Sequence, residues 1–309
     1  ILGNPEETAT VAFEEPGIAT LYVGTQSNGQ GHETVYSQFL YEWLGIPPEN
    51  VKIVQGDSKR IAKGGGTGGS RSVTTQGTAT KAASEAVVAR FTPFVADLLE
   101  VEADTVSFGE GSFRSDGSNR VMTVLEAADE ARAAGREDLL RTSETTSLPG
   151  RSFPNGCHVC ELEIDKDTGV VTVEKYTVVD DFGNLMNPML AEGQVHGGVA
   201  QGVGQCLSEA VVYDESGQLL TATFMDYGMP RADNLPMIAF YSEPVPSTAN
   251  VLGMKGCGEA GTVGAMAAVG NAALDALWPL GLRKVDMPFT PARMWAMLRE
   301  AEGRAIAAE

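Results

Sequence analysis

The sequence predicts an α+β protein of two lobes, each a small mixed β-sheet with helices packed on it. Three observations carry this. The length of 309 residues suits two domains of about 100–200 residues each. A strand pair followed by a helix occurs near the start and again past the midpoint. Between them, from Gly135 to Pro154, the chain loses periodicity and gains Arg, Ser, Thr, Pro and Gly. That stretch reads as the connection, so the lobes are expected at residues 1–140 and 141–309.

In the first lobe, Thr8–Glu14 and Ile18–Thr25 read as strands around the turn signal Glu15-Pro16-Gly17. His32–Leu44 changes period, because Val35, Phe39, Leu40, Trp43 and Leu44 fall on one helical face. Gly45 and Pro47-Pro48 stop it. Val51–Gln55 is a strand, Lys63–Ser70 a glycine-rich loop, and Ser72–Glu100 a helix broken or kinked near Pro93. A strand at Thr105–Phe108 and a helix at Val124–Ala134 complete this lobe.

In the second, His158–Asp165 and Val170–Val179 form a hairpin around Lys166-Asp167-Thr168-Gly169. A helix from about Met189 to Ser208 and a strand Glu209–Tyr213 follow, then an irregular proline-rich stretch to Gly253. Helices over Thr262–Trp278 and Pro291–Ala301 end the chain.

Hydrophobic residues make up 43% of the chain and charged ones 20%, enough for a core and too little charge for a disordered chain. The 22 basic and 41 acidic residues leave a net charge of −19. Such a surface repels phosphate backbones and anionic bilayers, which excludes nucleic acid as the main ligand. No run of about 18 apolar residues occurs, so no transmembrane segment is expected. The opening Ile1-Leu2-Gly3-Asn4-Pro5 lacks a Met and the pattern of a signal peptide, and reads as the start of a fragment or a processed chain.

The cysteines are Cys157, Cys160, Cys206 and Cys257. Cys157-His158-Val159-Cys160 has metal-site spacing but lies on an alternating strand, where residues three apart point to opposite faces. It is expected to be structural. Four unpaired cysteines suit a reducing cytoplasm, the expected location.

Glycine is abundant, 36 residues, and clusters in four segments, each expected to run into a helix. They are Gly29–Thr34, Gly64–Ser72, Glu192–Gly198 and Lys255–Gly261. Glycines admit a ligand close to the backbone, and a helix start offers unpaired N–H groups and partial positive charge. From spacing alone the four fit either one extended anionic cofactor or ordinary tight turns. Gly64–Gly69 and Gly256–Gly261 satisfy GxGxxG, but neither has the strand–turn–helix setting of a dinucleotide site. No lysine-terminated phosphate loop, GxSxG elbow or zinc-protease pattern occurs. Glu259, between glycines at a helix mouth, fits either a helix-dipole partner or a general base. His32 and His196 each lie beside a Gly-Gln element, which suits hydrogen bonding to cofactor or backbone better than metal binding.

These segments, in this order, resemble the C-terminal part of the large subunit of the molybdenum hydroxylases. That family holds xanthine dehydrogenase, aldehyde oxidoreductase and aerobic carbon monoxide dehydrogenase. Gly29-Gln30-Gly31-His32-Glu33-Thr34 is similar to its GQGxxT loop, and Gly68-Gly69-Ser70-Arg71-Ser72 with Gln76-Gly77 to the second loop of the carbon monoxide dehydrogenase-like branch. Asn187-Pro188, Glu192-Gly193-Gln194 and Gly197-Gly198 match the third, and Lys255-Gly256-Cys257-Gly258-Glu259 the loop of the active-site glutamate.

The resemblance implies a molybdopterin cofactor in its cytosine dinucleotide form, bound by Gln30, Gly31, His32, Thr34, Gly68, Gly69, Ser70, Arg71, Ser72, Gln194, Gly256 and Gly258. It implies no side-chain ligand to molybdenum, with Gly69 and Glu259 near the metal and Glu259 the general base of the second lobe. It further implies oxidation of a small-molecule substrate such as an aldehyde, an N-heterocycle or purine, or carbon monoxide. Electrons would leave through [2Fe–2S] clusters and FAD. No cysteine run for a cluster and no FAD segment occurs in this sequence, so an iron–sulfur subunit, an FAD subunit and the N-terminal half of the large subunit are the expected partners. The alternative is a non-catalytic binding or assembly module that keeps the fold.

Overall fold

The hairpin and helix of the first unit form where the alternation and the helical spacing place them. The computed structural model describes residues 3–308. Strands β1 (Glu6–Glu15) and β2 (Ile18–Val23) pair antiparallel. Helix α1 (His32–Leu44) crosses to β3 (Val51–Val54), which lies parallel to β2. Helix α2 (Gly77–Leu99) buries Ala79, Ala83, Val87, Phe91 and Val95, an i, i+4 stripe against β1. It runs unbroken through Pro93, against expectation. An interior proline costs about 3 kcal/mol, but Phe91, Phe94 and Val95 beside it are buried, and each such side chain contributes about 1.5–3 kcal/mol.

Strand β4 (Ser107–Gly109), β5 (Ser112–Ser115) and β6 (Ser118–Thr123) make a small antiparallel sheet, of which the sequence indicated one strand. Helix α3 (Val124–Ala133) follows, opened by a reciprocal cap between Thr123 and Glu126. Strand β7 (Arg141–Ser147) then extends the first sheet to the order β3-β2-β1-β7. Its contacts to β1 include the hydroxyl pairs Thr8–Thr145 at 2.8 Å and Thr10–Ser143 at 2.7 Å. Hydroxyl pairs leave no hydrophobic period to read, which is why this strand looked like a connection.

The boundary therefore falls later than residue 140. One unit comprises the chain up to Phe153 with Gly183–Pro188 and Pro246–Gly256, and the other Pro154–Phe182, Met189–Val245 and the chain from Cys257.

In the second unit, β8 (Asn155–Ile164) and β9 (Val171–Asp181) form the expected hairpin, longer at its open end. The Asp165 carboxylate accepts the Asp167 and Thr168 N–H groups at 2.8 and 3.1 Å, and these bonds hold its pKa below the usual carboxylate range. Helix α4 (Pro188–Leu207) follows. The expected strand Glu209–Tyr213 is absent; Val211, Val212 and Tyr213 are exposed there, with an isolated bridge from Tyr213 to Leu219. Instead β10 (Ile238–Ser242) pairs parallel with β9 inside the proline-rich stretch. The run Ile238-Ala239-Phe240-Tyr241 between Pro236 and Pro244 was its signal.

Helices α5 (Ala260–Leu277) and α6 (Pro291–Ala308) complete the unit. Ala260–Leu280 is long and apolar enough to cross a membrane by length and composition, which the expectation of no such segment missed. Its small residues form no run of large apolar side chains, yet Asp275 is its one charge.

Candidate functional site

The first glycine-rich cluster is built around a buried ion pair. Arg71 and Glu7 meet at 2.8 Å with both side chains 1% exposed. The Arg71 guanidinium also donates to the backbone oxygens of Asn4 at 2.8 Å, Gly66 at 2.6 Å and Glu6 at 2.8 Å. Glu7 accepts the N–H groups of Thr8 at 3.1 Å and Gly65 at 3.0 Å. Buried charges persist only when paired and hydrogen-bonded in this way. The loop can close over the pair because side chains are missing: a Cβ on Gly64 would stand 2.5 Å from the Gly24 carbonyl oxygen, and one on Gly65 would meet the guanidinium at 2.6 Å. Arg71 therefore holds the loop from inside, a correction to its expected place lining a cofactor pocket.

Around this anchor the unit brings three predicted segments together. Gly66 N–H donates to the Gly24 oxygen at 3.1 Å. Thr67 and Gln26 exchange bonds of 3.0 and 2.6 Å, and the Gln30 amide reaches the Gln26 oxygen at 3.4 Å. Ser72 donates to Thr67 at 3.2 Å. Gly256 lies directly against Ser70, which with Gly69 has positive φ (55° and 68°). Thus Gln30, Gly31, His32 and Thr34 share a locality with Gly68, Gly69, Ser70, Ser72 and Gly256. Glu7 and Gln76, which bonds the Gly24 N–H at 3.0 Å and the Thr8 oxygen at 3.1 Å, complete the framework. Nothing in the sequence marked Glu7, which lies one residue before the expected strand Thr8–Glu14.

This framework suits an anionic, hydrogen-bonding group. Helix α1 starts after Gly31 with no side-chain cap, leaving N–H groups of its first turn to an outside acceptor. His32 is buried with Nδ1 lacking a partner, and burial lowers its pKa and favours the neutral ring. An orphaned buried ring nitrogen at an uncapped helix start fits a ligand bearing donors and acceptors. A separate open cavity of about 750 Å³ in the same unit is lined by Asp97, Glu100, Glu102 and Asp116, and its carboxylates repel phosphate.

In the second unit Glu192–Gly198 lies inside α4, as the expected helix Met189–Ser208 has it, rather than before a helix start. Its glycines serve packing: a Cβ on Gly198 would lie 2.9 Å from Gly261 on α5, and one on Gly202 would lie 2.6 Å from Ala265. Gln194 is half-buried on α4. His196 stands 3.7 Å from Glu192. Glu259 is the exposed N-cap of α5, and its carbonyl accepts Val263 N–H at 3.1 Å. Gly258 beside it is also exposed.

Beneath α5, His158 fills the space of a Gly264 side chain, 2.5 Å from its ideal Cβ. Its ring bonds the Tyr176 hydroxyl at 2.9 Å and faces Asp180 at 3.5 Å. Cys160 shares this inner face, whereas Cys157 is exposed on the other. The CxxC sulfurs thus diverge, as a strand requires. Burial pushes the Cys160, Cys206 and Cys257 thiols up to about 11, so they stay protonated.

Residues 2–236 match the family described as the molybdopterin cofactor-binding domain. The chain belongs to that family. The nicotine 6-hydroxylase large subunit of Paenarthrobacter nicotinovorans is 35% identical over 297 residues, covering 93% of this chain and 36% of its own. The carbon monoxide dehydrogenase large chain of Afipia carboxidovorans is 33% identical over 293 residues, covering 94% of this chain and 36% of its own. A solved Cu,Mo-CO dehydrogenase superposes with a TM-score of 0.86 at 32% identity, covering 96% of this chain and 38% of that one. Quinoline 2-oxidoreductase from Pseudomonas putida 86 gives 0.84 at 33% identity, with coverage of 96% and 38%. This chain therefore spans a little over a third of the length of these relatives. Two lobes of small mixed sheets and helices are the fold of this molybdopterin-binding family.

Proposed function

We propose that this chain is the molybdopterin-binding C-terminal part of a molybdenum hydroxylase large subunit, which oxidises a small substrate. The observation that carries the reading is the coincidence of the family match with an uncapped α1 start beside the orphaned His32 nitrogen. When bound, the cofactor supplies the redox chemistry of substrate hydroxylation. The chain's own residues bind and orient it. First-turn N–H groups of α1, the Gln30 amide and the backbone of Gly68–Ser70 offer donors to the phosphates and pterin of a cytosine dinucleotide form. Arg71 and Glu7 hold those donors in place. Gln194 adds an amide from α4.

Glu259, exposed at the start of α5, acts in this reading as the general base. Iron–sulfur and FAD partners and the remainder of the large subunit complete the proposal, supported by relatives named as large subunits or chains; the cytoplasmic location rests on the unpaired cysteines of the sequence.

The test is Glu259→Gln in the assembled enzyme. The amide is nearly isosteric but takes no proton. Molybdenum content should stay within error of wild type while turnover falls by about 100-fold or more. Turnover within about tenfold of wild type, a loss of only ~1.4 kcal/mol, overturns the base assignment.

A further inference from the structure

The sheet of the second unit has two unlike faces. His158, Cys160, Tyr176 and Val178 point to the inner face, where His158 packs on Gly264 of α5. On the opposite face the register aligns Tyr241, Val179 and Cys157 in one row and Ala239, Thr177 and Val159 in the next. Met237 extends this face just before β10. Val159 is 50% exposed, Tyr241 57% and Met237 91%.

The same face changes character along β8. Further on, Glu161 pairs with Lys175 at 3.3 Å, both well exposed. A sheet face that meets water carries polar side chains outward, and the Glu161–Lys175 end obeys that rule. The two rows between do not, although the Asn155–Asp181 pair beyond Cys157 makes the face polar again. They form an apolar band on a three-stranded sheet whose outer strand β10 bonds only β9 among the described strands.

We propose that this apolar band is a docking surface for another segment of the large subunit, from the polypeptide that lies outside the matched region. The relatives carry over 60% of their length beyond the part that this chain matches, since it covers 36% and 38% of them. Self-pairing is opposed by the net charge of −19 on each copy. The occupant is thus an apolar polypeptide surface, which relieves this patch of water. The proposal rests on the large-subunit reading for the existence of that polypeptide, and it requires neither Glu259 nor bound cofactor.

Cys157 reports on the patch directly. The test is maleimide labelling with peptide mass spectrometry of the full-length assembled large subunit carrying Ser216→Cys, whose exposed loop position supplies a reference thiol. Cys157 is expected to react about tenfold or more slowly than the reference thiol. In the 309-residue chain alone, the two should react within about threefold, while buried Cys206 stays unlabelled as the check on folding. Equal rates in the assembled subunit overturn the proposal. Protection in the chain alone that disappears on dilution assigns the patch to a second copy and also overturns it. Molybdenum measured in the same samples separates the readings: protection without metal keeps the docking surface and rejects cofactor binding.

Discussion

Glycine serves opposite ends in the two units. In the first, Gly24, Gly64 and Gly65 thin a loop so that it closes over the Glu7–Arg71 ion pair, and the loop's outer backbone remains for a ligand. In the second, Gly198, Gly202 and Gly261 bring α4 and α5 close, inside a helix that the sequence already indicated. A glycine-rich motif is therefore not one structural device. What distinguishes the cases is what a side chain would strike: at Gly24 and Gly65 a member of the buried ion pair, at Gly198 and Gly202 a neighbouring helix.

The ion pair should give the largest effect. Arg71→Met strands the Glu7 carboxylate in a dry site and should destabilise the first unit by about 3–5 kcal/mol. Denaturant titration should show an earlier transition for that unit alone. An unshifted midpoint would mean that the pair is not the anchor of the loop.

A smaller loss is expected from Gly198→Ala, which drives a methyl group into the α5 backbone and should cost about 1–3 kcal/mol. Its neighbours sharpen the contrast. Gly193 and Gly197 lie on α4 with open space where a Cβ would sit, so alanine there should stabilise the helix by up to about 1 kcal/mol. Equal destabilisation at Gly193, Gly197 and Gly198 would show that packing is not what selects glycine at Gly198.

The smallest effect is a pH dependence of the first unit. The His32 pKa is lowered in the folded chain, so below about 6.5 the unfolded ring takes up a proton that the folded ring refuses. Stability is then fully present above that pH and declines as pH falls toward the folded value. His32→Gln should remove this increment, read as a smaller change in unfolding midpoint between pH 7.5 and pH 5.5. An identical pH slope in the variant would contradict the burial-lowered pKa.

Much of the frame was legible because apolar side chains set its periods. The one-sided face of α1 and the alternation of β8 follow directly from hydrophobic spacing. Strand β7 was not, because Ser143 and Thr145 pair with β1 through hydroxyls rather than apolar surface. Strand β10 was hidden by flanking prolines that in fact delimit it. In the site, the ordered loops pointed to the family, and the positions of Gln30, Ser70 and Gly256 near one another accord with that reading. Arg71 could not be read correctly, since its partner Glu7 lies 64 residues away in sequence and a basic residue in a glycine loop looks the same whether it faces a ligand or the core. Gln194 matched a motif that lies inside α4 rather than before a helix start.

The measurement that bears most directly on the central claim is molybdenum per chain, with nucleotide analysis, on the large subunit assembled with its natural partners. About one molybdenum and one cytidine nucleotide per chain are expected, with a marked loss of both in Gln30→Ala before any loss of rate per molybdenum. Assembled, folded protein that carries neither metal nor nucleotide would contradict that claim.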